Sequence, residues 1–205
     1  REVYELSFYR SSIYYYRNRF ISEGTGSHKM NKDLTNIKLL ICDVDGILTD
    51  GQLIKDTAGE ESKSFNVLDG VGFVMLRLLN LGIKTAWITG RESATTESRG
   101  EELQIDDIYN GVIRKIDSYD ELKKKYNLQD DEICFMGDDI IDIPILEKVG
   151  FAVSVPNAPD YVANCAHYVT KTPGGKGAVR EVIDMLIASR GDFDQLLDQL
   201  LSELR

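Results

Sequence analysis

The sequence predicts a doubly wound α/β domain, Rossmann-like, with a parallel sheet covered by helices on both faces. Short runs rich in β-branched and apolar residues alternate with longer runs of helical period, the pattern that βαβ units produce. The first short run, 37–43, is almost continuously apolar (IKLLICD), as a strand buried on both faces requires. Only one segment, 51–67, interrupts the alternation, and it is too short for a second domain.

Taken in order, the expected strands are 37–43, 83–89, 106–110, 132–138, 151–155 and 167–170. The helical patterns between them are 71–81, 93–103, 115–126, 142–149 and 177–189. Segment 51–67 holds two short extended stretches around Thr57-Ala58-Gly59 and reads as a β-hairpin projecting from the carboxyl edge of the sheet. At the end of the chain, Phe193, Leu196, Leu197, Leu200, Leu201 and Leu204 share one helical face. That face docks either on its own domain or on a neighbouring subunit. The expected organisation is an N-terminal extension over 1–36, the α/β domain over 37–190 and an amphipathic C-terminal helix over 191–205. GSHKM at 26–30 resembles a cloning scar, so the first ~30 residues read as vector-derived or leader sequence, or else as an extension packed on a partner subunit.

Composition narrows the function. The 205 residues are 42% hydrophobic and 28% charged, the balance of a globular domain, and no apolar run is long enough to cross a bilayer. The net charge of −10 argues against a nucleic-acid partner, which wants a cationic footprint, but not against a small anionic substrate. Cys42, Cys134 and Cys165 show no CxxC spacing and suit a reducing cytoplasm. The two histidines, His28 and His167, make a histidine-rich zinc site improbable.

The chemistry-bearing residues fall where strands end. The first strand ends in Asp43-Val44-Asp45-Gly46, and in an open α/β sheet ligands gather at the carboxyl ends of strands. Carboxylates at i and i+2 there can approach one hard cation such as Mg²⁺, and one of them can attack phosphorus. An isolated DxDG is as often a plain turn. The strand 83–89 ends in Thr89-Gly90-Arg91, a hydroxyl suited to a phosphoryl oxygen or, more plainly, to a helix cap. The strand 132–138 ends in Asp138 and Asp139, with Asp142 one turn on. Acids at a helix start often only cap it, but several carboxylates brought together without a cation would repel. Lys115 opens a helix whose neighbours Lys123, Lys124 and Lys125 are surface charges, and periodicity alone makes it another of these.

With DVDG, ITGR, the lysine of YNGVIRK and MGDDIIDIP in this order, the chain resembles the haloacid-dehalogenase superfamily of phosphotransferases over residues 37 to 190, in its subgroup without a cap domain. The hairpin ending in FNVLDGVG and the loop GGKGAVREV add to the likeness. The resemblance implies Mg²⁺-dependent hydrolysis of a sugar-acid phosphate through an aspartyl-phosphate, in lipopolysaccharide-precursor synthesis. An octulosonate 8-phosphate is the expected substrate, ahead of a nonulosonic acid 9-phosphate. Asp43 would be nucleophile and metal ligand. Asp45 would bind the metal through its carbonyl and act as acid, then base. Asp138 would be the third ligand, supported by Asp139 and Asp142, while Thr89 and Lys115 hold the phosphoryl group. Asp69, Gly70, Arg91, Lys176 and Arg180 would meet the sugar acid, and the assembly would be a homotetramer with hairpin and tail as interface elements. One departure is Leu68, where many members carry arginine.

Rival readings fit less well. A receiver domain places its acidic pair after the first strand and its phosphoacceptor after the third, whereas here the second acidic group follows the fourth. A non-catalytic interaction domain would not need Asp43, Asp45, Thr89, Lys115 and Asp138 together. GGKGAV lacks the spacing of a nucleotide-binding P-loop, and its glycines read instead as a flexible substrate loop or a plain turn.

Overall fold

The computed structural model describes residues 32–191 and 193–203. Most of the expected N-terminal extension, and Leu204, lie outside the described residues. Among the described residues, no helix is long and apolar enough to cross a membrane.

The main sheet holds β1 (Leu39–Cys42), β4 (Lys84–Ile88), β5 (Asp107–Tyr109), β6 (Ile133–Met136), β7 (Phe151–Ser154) and β8 (Tyr168–Val169). Its order is β5-β4-β1-β6-β7-β8 and each pairing is parallel. Between β1 and β4, β2 (Ile54–Lys55) and β3 (Glu61–Ser62) form the separate antiparallel hairpin. All six expected strands are present in the expected order. No cap domain interrupts the described chain.

Successive side chains of a strand point to opposite faces. Leu39 and Ile41 therefore join a core with Tyr119, Leu122 and Ile145, and Leu40 and Cys42 join another with Met75, Val182 and Ile183. The α-helices around the sheet are α1 (Val67–Leu79), α2 (Ala94–Glu102), α3 (Lys115–Tyr126), α4 (Ile143–Leu146), α5 (Asp160–Ala163), α6 (Ala178–Ala188) and α7 (Phe193–Glu203). The short helix α5 was not expected; it turns the chain from β7 toward β8, burying Val162. Asn66 caps α1 by accepting from the Leu68 N–H at 2.8 Å, and Asn80 ends the helix in the left-handed conformation. Leu197 and Leu200 of α7 are buried in the same core as α1 and α6, so this face docks on its own domain.

Two features position the site. The chain runs outward from β1 to β4 and β5, then returns to lay β6 on the other side of β1. That reversal opens a crevice at the carboxyl ends of β1 and β6, where Asp43 and Asp138 emerge. The root of the hairpin is anchored by Phe65, whose ring stacks 6.1 Å from that of Trp87 in β4.

Candidate active site

The floor is a set of loops locked to the sheet. The Asp43 N–H donates to the Met136 carbonyl at 2.9 Å and the Gly137 N–H to that of Val153 at 3.1 Å, extending the ladders past the strand ends. Gly46 has a φ of 99°, and a Cβ there would lie 1.9 Å from Asp138 Oδ2. Only glycine lets this backbone pass so close to the second acidic loop. The Thr49 hydroxyl oxygen accepts from the N–H groups of Gly46 and Gly51 at 3.3 and 3.2 Å and fixes the turn.

Asp43, Asp138 and Asp142 each offer a carboxylate oxygen, and these lie within 4.8 Å of one another. Lys115 stands among them with its Nζ 2.7 Å from both Asp43 Oδ1 and Asp142 Oδ1. It is 1% exposed. Periodicity made it a surface lysine; the structure overturns that, because the first residue of α3 points back into the crevice rather than along the outer face. Two carboxylates hold its ammonium charged against the cost of burial.

The roles within the acidic group differ. Asp142 spends both oxygens internally, Oδ1 on Lys115 and Oδ2 accepting the N–H groups of Asp138 and Asp139 at 3.0 and 3.1 Å. Asp139 is exposed, and its Oδ1 caps the turn Ile140–Asp142 by accepting the Ile140 N–H at 2.7 Å. Asp138 Oδ1 is buried with no hydrogen-bond partner among the described residues. Burial, and then the Asp43 charge, push the Asp138 carboxyl up to about 8. Burial also pushes Asp43 up to about 7, against the pull of Lys115. An all-oxygen set with an orphaned acceptor and proton affinities this high fits a hard divalent cation such as Mg²⁺.

Asp45 points to the other side of the crevice. Its Oδ2 accepts from the Thr89 hydroxyl at 3.3 Å, and its Oδ1 pairs with Lys63. Arg91 is 47% exposed, its Nη2 donating to Glu61 Oε2 at 2.6 Å. Lys176 is exposed, with its Nζ 3.8 Å from Asp50 Oδ2. The structure therefore brings Asp43, Asp45, Thr89, Lys115, Asp138 and Asp142 together, with Arg91 and Lys176 carried by adjoining loops.

Three expected substrate residues face inward instead. Asp69 is buried against the start of α6, its Oδ1 accepting the Arg180 N–H at 2.8 Å, and burial pushes its carboxyl up to about 7. Arg180 is buried and its Nε donates to Asp184 Oδ1 at 2.7 Å. Gly70 is buried in α1, where a Cβ would lie 2.6 Å from Arg99 Nη2 and 3.3 Å from the Leu103 side chain. The GGKG loop is also tied down: Gly175 N–H donates to the Ile47 carbonyl at 2.9 Å, and a Cβ on Gly174 would collide with the Gly46 carbonyl.

Two residues went unnoticed in the sequence. Lys63 shares a side of the extended chain with Glu61, and that i, i+2 spacing was the available signal. Asn157 joins the Asp43–Gly46 loop to the glycine loop, donating to the Gly46 carbonyl at 3.4 Å and accepting the Gly174 N–H at 2.9 Å.

An open parallel sheet without a cap, carrying paired acids after β1 and β6, a hydroxyl after β4 and a buried lysine at the start of α3, defines a metal-dependent hydrolase of the haloacid-dehalogenase type. The family of haloacid dehalogenase-like hydrolases matches residues 87–183. The 3-deoxy-D-manno-octulosonate 8-phosphate phosphatase of Escherichia coli K12 is 42% identical over 164 residues, 80% of this chain and 86% of that protein. That of Salmonella typhi is 41% identical over 173 residues, 84% of this chain and 90% of that protein. Among solved structures, the Moraxella catarrhalis phosphatase of this name, in complex with magnesium, phosphate and KDO, superposes with a TM-score of 0.78 at 38% identity. It covers 82% of this chain and 95% of its own. The chain belongs to the haloacid dehalogenase-like hydrolases, within the family of 3-deoxy-D-manno-octulosonate 8-phosphate phosphatases.

Proposed function

We propose that this enzyme hydrolyses 3-deoxy-D-manno-octulosonate 8-phosphate to the free sugar acid and phosphate through an aspartyl-phosphate on Asp43. The observation that carries the reading is the buried group of Asp43, Asp138 and Lys115 at the switch point of the sheet, in a chain so similar to phosphatases of that substrate.

Asp43, the backbone carbonyl of Asp45 and Asp138 would hold Mg²⁺, which when bound neutralises phosphoryl charge and orients the group for in-line displacement. Lys115 steers Asp43 and, with the Thr89 hydroxyl, offers donors to the phosphoryl oxygens. An oxygen of Asp43 forms the new bond to phosphorus as the bond from phosphorus to the sugar oxygen breaks. The electron pair leaves with that oxygen, and Asp45 supplies its proton. Asp45 then takes a proton from water as the water oxygen attacks phosphorus, and the broken phosphorus–Asp43 bond restores the carboxylate. Asp139 and Asp142 support the loop, and Arg91 and Lys176 are the cations left to meet the sugar acid.

The free thiols of Cys42 and Cys134 support a reducing cytoplasmic setting. Leu53 and Ile54, exposed on the hairpin, support its use as an interface element of a homotetramer.

Phosphate release should be measured with and without Mg²⁺ for the native chain and Asp43→Asn, on the octulosonate 8-phosphate, nonulosonic acid 9-phosphates and simple sugar phosphates. Magnesium-dependent turnover of the octulosonate, lowered at least ~10³-fold in Asp43→Asn, is expected. Preference for a nonulosonate would move the substrate and point to Leu68. Undiminished activity of Asp43→Asn would refute the aspartyl-phosphate.

A further inference from the structure

Lys63 is a buried cation that the reaction as written above does not use. It comes from the hairpin rather than the sheet, and its side chain is 3% exposed. An ammonium is withdrawn from water this far only where partners compensate its lost hydration. Its Nζ pairs with Asp45 Oδ1 and lies 3.4 Å from Glu61 Oε1. The other Glu61 oxygen accepts from Arg91 Nη2 at 2.6 Å. The Glu61 carbonyl accepts from the Thr95 hydroxyl at 3.3 Å, which ties β3 to the first turn of α2. Charges thus alternate in sign from Arg91 at the exposed rim, through Glu61 and Lys63, to Asp45.

We infer that Lys63 is a positioning residue for proton transfer, holding the Asp45 carboxyl in the orientation from which it serves the departing sugar oxygen, with Glu61 holding Lys63. This rests on the reading of Asp45 as acid and base. Asp45 lies in a loop and is partly exposed, and the other hydrogen bond to its carboxylate among the described residues is the 3.3 Å bond from Thr89. A single long hydrogen bond leaves the carboxyl free to turn; a second contact from a nearly immobile ammonium removes that freedom. Misplacement of a reacting group by about 1 Å costs on the order of 10²-fold in rate. Because Glu61 also grips Arg91, the rim cation and the acid–base group are held by one connected set of side chains.

Leaving groups provide the test. A sugar alkoxide needs a proton as it departs, whereas p-nitrophenolate departs without one. Lys63→Met, Glu61→Gln and Asp45→Ala are assayed with Mg²⁺ on the octulosonate 8-phosphate and on p-nitrophenyl phosphate. For Lys63→Met, kcat on the sugar phosphate should fall roughly 10²-fold, at least tenfold more than on the aryl phosphate. Glu61→Gln should show the same preference more weakly. Equal losses on both substrates, beside a selective loss in Asp45→Ala, overturn the role of Lys63 and leave that of Asp45 standing. No selective loss in Asp45→Ala overturns the reading of Asp45 itself. Thermal melting checks the fold of each variant; should Lys63→Met not fold, Glu61→Gln carries the comparison alone, and equal losses there overturn the inference.

Discussion

The floor of the site and the hairpin beside it are built from the same kinds of residue but held in different ways. On the floor, Asp43, Lys115 and Asp142 are almost wholly buried and belong to strand ends and a helix start. Each is fixed by backbone that the sheet has already fixed. In the hairpin, β2 and β3 are two residues each and mostly exposed, and position depends on side chains: Phe65 on Trp87, Lys63 on Asp45, Glu61 on Arg91. The floor holds the groups to which the proposed chemistry is assigned, and their burial makes each charge depend on its partner. The hairpin carries contacts that can vary without disturbing the core, which suits a device for orientation and substrate choice.

The largest expected effect comes from breaking the floor. Lys115→Met leaves Asp43 and Asp142 buried without their cation, and removing one partner of a buried pair costs about 3–5 kcal/mol. Chemical denaturation of the metal-free protein should show a loss of that order, with kcat lowered ~10²–10³-fold. A change below 1 kcal/mol would mean that the floor is held by its backbone alone.

Acidity sharpens the comparison next. In the metal-free protein Asp43 and Asp138 rise from 3.8 to about 7 and about 8, because burial penalises their charged forms. Groups raised on folding bind more protons folded than unfolded between those values. Their contribution to stability is therefore greatest in acid and is lost as pH rises from about 4 to about 8. Mg²⁺ binds the deprotonated carboxylates, so its affinity should rise over the same window and its binding at pH 7 should release protons. Calorimetry in buffers of different ionisation enthalpy measures that release; none at pH 7 would contradict the raised values. Residues of the hairpin should leave the proton release unchanged.

The smallest effect is expected at the rim. Arg91→Ala should raise KM for the sugar acid roughly tenfold, about 1.4 kcal/mol, with a smaller change in kcat. A loss confined to kcat would place Arg91 with the chemistry instead.

Much of this could be read before any coordinates. The alternation of apolar runs and helical periods dictates a parallel sheet, and a parallel sheet puts every strand's carboxyl end on one side. Asp43, Thr89 and Asp138 therefore had to meet, whatever the details of packing, because each follows a strand at once. Burial of the tail face through Leu197 and Leu200 was likewise written in its period, though not the choice between its own domain and a neighbour.

Tertiary structure alone decided what links residues far apart in the chain. Lys115 and Asp142 are 27 residues apart, Lys63 and Asp45 are 18 apart, and Asp69 and Arg180 are 111 apart. Local pattern describes which face of an element is apolar; it carries no record of which charge will be buried opposite another. So periodicity left Lys115 at the surface, and the resemblance set Asp69 and Arg180 at the substrate although the fold uses them to fasten α1 to α6. The sequence by itself determined the sheet and the carboxylates at its edge, because both follow from local period and chain order. The pairing of buried charges was decided only by three-dimensional packing, because the cost of taking a charge out of water is met by whichever opposite charge the fold brings within reach.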